Sequence, residues 1–581
     1  MTTLITLYKV LFPDESAKTS PFDDPPLLPA DIFAFTGYAL EKSGAYHHVA
    51  PDVPYLVSSS YRRLEVTDKM RDDAIKLGKA WRTAPTGAGR RLPMPPNGVV
   101  QTWKQLEKFQ DWEMFAALSE DAEAPEWWHI CLKLLMIADE ASADSGFKQG
   151  NVFTRIVNEA YVEEDLVSGE TFRRIQSAPK SLSTASEDVV CVQPKSRTPS
   201  VGCTLRSLSH HLALLPPKGA VKARWIEPPL GATSDEQDGN LGLLLIPFPY
   251  RISKTSFRSA GEESGGHWGW FDADQNWLPT PEDSVSREEF VKFVQGLIQK
   301  ARDDGQLVSG VVFPELSLDY GLFLEVGNAL AKDEGIDFII SGISNDKGGR
   351  PGNFVAIAPF FLFRDAECKS LQSWEPLALV REKHHRWKLN GSQISDYDLE
   401  LDGEKSWWEN LTILSRSLDL IVFKGDTTLT TLICEDLARV DPCQAVIRAI
   451  GPNLLIALLM DGPQIIQRWP GRYASVLTED PGTSVLTFTS LGLISRQNDV
   501  GKFPQACGIA LWSDEIKGTK SIELPREADA VVLGLTKRPK NERTLDGRED
   551  NYCSHVWVYS NHSAVRAQSL PDWVRSGTAK S

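Results

Sequence analysis

The chain has 581 residues, with 62 Lys and Arg against 78 Asp and Glu and a formal charge of −16. That length exceeds one hydrophobic core of about 250–300 residues, and 41 % hydrophobic with 24 % charged residues excludes a disordered or fibrous chain. The acidic balance argues against general nucleic-acid binding, which needs a basic face.

Residues 1–176 are expected to form a mainly helical N-terminal domain of unknown role. Pro21, Pro25, Pro26 and Pro29 open it in extended form, and Pro93, Pro95 and Pro96 interrupt it again, because proline breaks helices and central strands alike. Trp103 to Leu118 and Trp127 to Ala141 carry apolar residues at three- and four-residue spacing, Leu132, Leu135, Met136 and Ala138 among them. Trp127, Trp128 and His129 read as core rather than as a binding surface.

Residues 177–238 form a linker and lead-in segment, rich at first in Ser, Thr, Lys and Pro without a period. From residue 239 the character changes. Leu241 to Ile246 (LGLLLI) is a continuous apolar run of strand length, as a strand buried on both faces requires. A Gly- and Trp-rich loop, 261–277, leads to a helix whose start is marked by Ser286 and Glu289 as a capping box. Phe290, Val294, Leu297 and Ile298 line its apolar face. Strand 309–313, helix 319–334 and strands 338–341, 354–362, 377–380, 418–423 and 428–433 follow. A short helix at 443–449 and strands 454–458, 485–489 and 554–559 complete the pattern, and 568–581 is a tail. Buried strands alternating with helices indicate an α/β fold, and strand pairs without helical crossovers make its sheets mixed. The longest apolar runs are strand-sized, far below the roughly 20 residues of a membrane helix. Eight cysteines without any C-x-x-C pair fit a reducing cytoplasm rather than a disulfide framework.

Three polar groups fall directly after buried strands, where α/β folds hold ligands. Glu315 ends Val311-Val312-Phe313-Pro314. Lys383 and His385 follow strand 377–380, and Cys434 ends Leu432-Ile433 and precedes Glu435-Asp436-Leu437. Glu315 is placed for a raised pKa, because burial disfavours its charged form. His384 and His385 lack a third ligand at metal spacing, so no metal is expected.

In the order Glu, Lys, Cys these segments resemble the signatures of the nitrilase, or carbon–nitrogen hydrolase, superfamily: FPEL at 313–316, K-x-H at 383–385 and I-C-x-D-L at 433–437. The intervals are 68 residues from Glu315 to Lys383 and 51 from Lys383 to Cys434. The resemblance covers 239–567 and implies a four-layer αββα sandwich. It implies Glu315 as general base, Cys434 as nucleophile forming a thioester, and Lys383 with the Glu435 backbone N–H as oxyanion donors. Cofactors are not needed. Small amide or carbamoyl compounds are the implied substrates, and a homo-oligomer is the implied state.

One departure stands out. The family carries a second glutamate after the lysine, and the stretch 389–396 contains none; either Gln393 or Asp396 takes its part, or the role is absent. With His385 these are the candidate substrate-binding residues. Synthetase-type partners are excluded, since neither an S-G-G-x-D-S nor a G-x-x-x-x-G-K-[ST] loop is present. The competing reading is a catalytically weak or inactive nitrilase-fold sensor or scaffold that acts through its N-terminal helical domain by partner binding.

Overall fold

The computed structural model describes residues 2–15, 20–51, 63–85, 92–115, 118, 123–147, 151–154, 181–227, 239–261, 266–363 and 373–577. The expected end of the helical region and start of the linker (155–180), the segment 228–238 and the last residues of the tail lie outside them.

The first described third is helical: Leu4–Leu11, Pro29–Ser43, Asp68–Arg82, Asn97–Lys104 and Glu126–Ala141. Side-chain caps start two of these helices, Thr3 on the Thr6 N–H and Thr67 on the Met70 N–H, each satisfying one orphan donor of the first turn. Pro29 at the first position starts another. The helix expected from Trp103 instead begins at Asn97, right after the proline cluster, and ends at Lys104 in a 3-10 turn over Gln105–Phe109. Trp127 and Trp128 are buried in the helical core, as the periodicity predicts.

In the stretch 177–238, read from sequence as linker, the described residues include strands Cys191–Pro194, Leu212–Leu215 and Lys222–Ile226. Their apolar residues alternate too weakly to show in the sequence; tertiary pairing makes the strands. Lys222–Ile226 runs parallel to Ser417–Phe423 as the edge of a seven-stranded sheet. Asp139, fully buried in helix Glu126–Ala141, accepts the N–H groups of His210, His211 and Leu212 and the guanidinium of Arg548. One carboxylate therefore ties the helices to both the 210–212 segment and the C-terminal hairpin.

Two mixed seven-stranded sheets form the centre of the remainder, with a four-stranded sheet of Lys388–Leu389, Ser406–Glu409, Trp268–Ala273 and Phe257–Ser259 alongside. The first runs, edge to edge, Leu379–Glu382, Pro351–Pro359, Phe338–Asn345, Gly310–Val312, Asn240–Leu245, Ala530–Lys540 and Ser554–Val565. Its centre is parallel, 240–245 with 310–312 with 338–345, and its flanks are antiparallel. The second runs Gly518–Glu523, Gly508–Asp514, Ser484–Thr489, Leu454–Leu459, Thr427–Ile433, Ser417–Phe423 and Lys222–Ile226, again parallel in the middle.

Alternation along each strand decides which side chains go where. Leu243, Leu245, Val312, Ile340 and Ile357 of the first sheet share one buried cluster with Leu429, Ile433, Ile456, Leu458 and Phe488 of the second. Leu244, Val311 and Ile339 point the other way, to Phe290, Val294, Leu297, Phe323 and Val326 of helices Ser284–Asp303 and Tyr320–Leu330. Leu432, Leu455, Ala457 and Val485 pack with Val446, Ile447, Ala474 and Leu477 of helices Ala445–Ile450 and Trp469–Glu479.

Helix Ser284–Asp303 starts before the expected capping box. Its cap is Asp283, whose carboxylate accepts the Ser286 N–H at 3.0 Å, so Ser286 lies inside the first turn. No helix among the described residues is long and apolar enough to cross a membrane.

Candidate active site

Glu315, Lys383 and Cys434 each follow the C-terminal end of a buried strand: Gly310–Val312, Leu379–Glu382 and Thr427–Ile433. The sheets bring these ends together although the residues are far apart in the chain.

The Glu315 turn is held from several sides. Ser317 Oγ donates to the carbonyls of Phe248 and Pro314, Trp277 Nε1 donates to that of Ser317, and Gln275 Nε2 donates to those of Leu316 and Leu318. Leu316 sits at φ +53°, a left-handed conformation that costs a non-glycine residue energy. The adjacent strand makes room at Gly342, where a Cβ would lie 2.4 Å from the Glu315 Cα. Gly342→Ala is therefore expected to displace the Glu315 turn and destabilise the protein by about 1–3 kcal/mol. Chemical denaturation of the variant measures it, and an unchanged midpoint would contradict the close approach.

Glu315 is buried, and every donor it receives is fixed. Oε1 accepts from Lys383 Nζ at 2.8 Å and from Asn353 Nδ2 at 2.8 Å, and Oε2 accepts the Met460 N–H at 2.6 Å. Burial raises its pKa, against the Lys383 ammonium, which lowers it.

Lys383 Nζ donates equally to a second carboxylate, Glu409 Oε2, at 2.7 Å. Asn353 Nδ2 also reaches Glu409 Oε1, at 2.8 Å, and the Trp387 N–H donates to Glu409 Oε2 at 2.9 Å. Asn353 thus bridges the two acids, and its own carbonyl accepts the Lys383 N–H at 2.8 Å. Burial alone would lower the Lys383 pKa, but Glu315 and Glu409 on either side hold it well above the ordinary lysine value.

Glu409 is the member of this buried array that sequence reasoning missed. It ends strand Ser406–Glu409, 26 residues after Lys383, beyond the stretch where a second glutamate was sought. The sequence Ser406-Trp407-Trp408-Glu409 shows no alternation; the structure supplies it, with Trp407 and Glu409 buried and Trp408 between them exposed, as in a half-buried strand. A carboxylate on the inward side of such a strand needs a partner, and Lys383 is that partner.

Gln393 and Asp396, expected to replace the second glutamate, do not reach Lys383. Gln393 forms a capping box with Asn390 at the start of helix Gly391–Tyr397, and Asp396 pairs with Lys502 at 2.5 Å near the surface. Local helix capping and a surface ion pair use up both side chains.

Cys434 is 3 % exposed and sits at φ +43°, ψ −108°, a strained conformation of the kind found at functional turns. Its N–H donates to the Leu458 carbonyl at 2.8 Å, which extends the pairing of 427–433 with 454–459 by one bond. Burial and the Glu315 charge raise the thiol pKa, and Lys383 lowers it. Both groups therefore act on the sulfur electrostatically, in opposite directions.

The residues after Cys434 anchor the lysine. Asp436, fully buried, accepts the backbone N–H groups of His384 and His385 and the His385 Nδ1 at 3.1 Å. The carboxylate so clamps the segment that carries Lys383 to the turn that carries Cys434. His385 faces this carboxylate. The side chain of Glu435 turns away to Arg439, while its backbone N–H heads the four-residue helix Glu435–Ala438. Among the described residues, no group of three or more His, Cys, Asp or Glu side chains is placed to hold a metal ion.

Neither a protein-family model nor a curated protein matches the chain. Solved structures of the nitrilase, or carbon–nitrogen hydrolase, superfamily match about half of it. An amidase from Nesterenkonia sp. is 12 % identical, with 53 % of this chain and 93 % of that one covered and a TM-score of 0.29. A carbon–nitrogen hydrolase superfamily protein from Xanthomonas campestris, solved with an arsenic adduct in its active site, is 12 % identical over 51 % and 89 % of the two chains, at a TM-score of 0.30. A branch 10 nitrilase-superfamily member from Saccharomyces cerevisiae is 11 % identical over 50 % and 89 %, at 0.28. None of these likenesses carries a substrate or a residue role to this chain.

Proposed function

We propose that the protein is a thiol-dependent hydrolase of non-peptide carbon–nitrogen bonds, acting on a small amide or carbamoyl compound through a four-layer αββα fold. The observation that carries this reading is the buried Glu315–Lys383–Glu409 array beside a strained, buried Cys434. A buried ammonium between two carboxylates is poor value as a stabilising device, since hydrophobic replacements of buried ion pairs are often neutral or better. Its chemistry explains it better.

Cys434 attacks the carbonyl carbon as its S–H proton passes to Glu315. The transfer is well matched, because burial raises the pKa of both donor and acceptor. The negative charge that develops on oxygen is met by the Lys383 ammonium and the Glu435 backbone N–H, fixed donors in a site sheltered from water. Glu409 and Asn353 hold the ammonium in place. Collapse breaks the carbon–nitrogen bond, and Glu315 returns the proton to the leaving nitrogen. Water, deprotonated by Glu315, then opens the thioester, releasing the acid and restoring the thiol.

The competing scaffold reading has two motives, the lack of a second glutamate in 389–396 and the long N-terminal region; Glu409 beside Lys383 answers the first, and the second stands. The reading is tested by ammonia release from a panel of primary amides and carbamoyl compounds. Ammonia that depends on Cys434 is the expected result; none from any substrate, with the protein folded, would overturn it. A homo-oligomer is proposed as well, and a monomer in light scattering at micromolar concentration would contradict it.

A further inference from the structure

We infer that Asp461 is a specificity residue of this same site and selects substrates whose acyl chain ends in a cationic nitrogen: an ammonium, amidinium or guanidinium. This rests on the hydrolase reading above and goes beyond it by naming the substrate class.

Asp461 follows strand Leu454–Leu459, which lies next to the strand of Cys434. Leu458 accepts the Cys434 N–H, and Met460 donates its own N–H to Glu315. Three residues of chain, at most about 10 Å, therefore separate Asp461 from the residue bonded to the nucleophile. The Asp461 charge also acts on the Cys434 thiol, raising its pKa behind burial and Glu315.

The two oxygens of this carboxylate are used unequally. Oδ1 accepts from Arg468 Nη2 at 2.7 Å and from Tyr397 Oη at 3.1 Å. Oδ2 is buried and meets no donor among the described residues, although Asp461 is only 4 % exposed. A carboxylate oxygen left so in the interior is costly, and such a group calls for an explanation, of which a ligand that completes it is one.

Its surroundings are built to hold it still. The Asp461 N–H donates to Thr489 Oγ1, whose own proton goes back to the Asp461 carbonyl at 2.8 Å. Tyr397 Oη accepts the Gly462 N–H at 3.0 Å. Gly462 also clears the way for the arginine, since a Cβ there would lie 2.3 Å from Arg468 Nη1. These bonds fix the carboxylate and leave Oδ2 without a donor among the described residues.

Charge selects a cation over a neutral donor. Around the nucleophile Glu315, Glu409 and Asp461 face Lys383 and Arg468, three carboxylates against two cations. One positive charge on the substrate balances the set, whereas an acidic substrate would bring a fourth negative charge into a low-dielectric site.

The test uses the full-length protein and matched amides of similar length: 4-aminobutyramide, butyramide and succinamate, with ammonia release read as kcat/KM. Wild type is expected to prefer the amino amide over butyramide by 10-fold or more and to reject succinamate. In Asp461→Asn the amino-to-neutral ratio is expected to fall toward one. The wild-type ratio decides the matter even if the variant does not fold. Cys434-dependent ammonia from butyramide or succinamate at least as fast as from the amino amide overturns the assignment of Asp461 while the hydrolase reading stands. No ammonia from any of the three or from the wider panel removes both.

Discussion

Cys434→Ala and Cys434→Ser are expected to abolish ammonia release, lowering kcat on the order of 10³-fold or more, as loss of a covalent nucleophile does. The fold should persist. The side chain is small, and the backbone holds the turn, through the Cys434 N–H to Leu458 and the Leu437 N–H to the Cys434 carbonyl. Stability within about 1.5 kcal/mol of wild type is expected. Residual turnover at the wild-type rate in a folded Cys434→Ala protein would end the covalent account. Mass spectrometry of the wild type, quenched with a slow amide, should show an acyl adduct on the peptide that carries Cys434 and on none that carries Cys443, which is buried against His384 Nδ1 at 3.0 Å.

Lys383→Met is expected to be the most damaging single change for stability as well as for activity. It leaves Glu315 and Glu409 buried side by side with Asn353 as their shared donor and no cation between them. Breaking a buried ion pair from one side costs about 3–5 kcal/mol, and here two carboxylates lose the same partner. The variant should unfold at markedly lower denaturant and recover at acid pH. The sign follows from Glu315: burial and the Glu409 charge raise its folded-state pKa, and the variant removes the ammonium that opposes them. The folded state then binds more protons than the unfolded one, and stability falls as pH rises. Adding Glu315→Gln and Glu409→Gln to Lys383→Met should restore much of the stability and none of the activity. Equal denaturation midpoints for wild type and Lys383→Met would show that the array is not the buried, coupled unit described.

The three strand-end groups were legible because each is a local pattern. A strand buried on both faces is a continuous apolar run, and Val311-Val312-Phe313 before Glu315 declares itself in that way, while Thr427–Ile433 before Cys434 shows instead as a stretch of threonines, leucines and a closing isoleucine. The helical cores around Leu132 and Leu297 were legible for the same reason of period. What was misread depends in one case on a distant strand and in two on local competition for the same hydrogen bonds. Lys222–Ile226 is a strand because Ser417–Phe423 lies beside it. Ser286 is not the cap because Asp283 reaches its N–H first. Gln393, plausible by position, is spent on its own helix.

The sequence by itself determined the alternation of helices and buried strands, the positions of Glu315, Lys383 and Cys434 at strand ends, and the acidic charge. Those are set by burial pattern and composition, which act residue by residue. Only the tertiary structure decided that Glu409 joins Lys383, that Asp436 clamps the lysine segment to the cysteine turn, and that Asp461 Oδ2 is buried without a donor among the described residues. Whether a buried carboxylate is satisfied depends on every donor that folding brings near it, and that is a property of three-dimensional neighbours rather than of spacing along the chain.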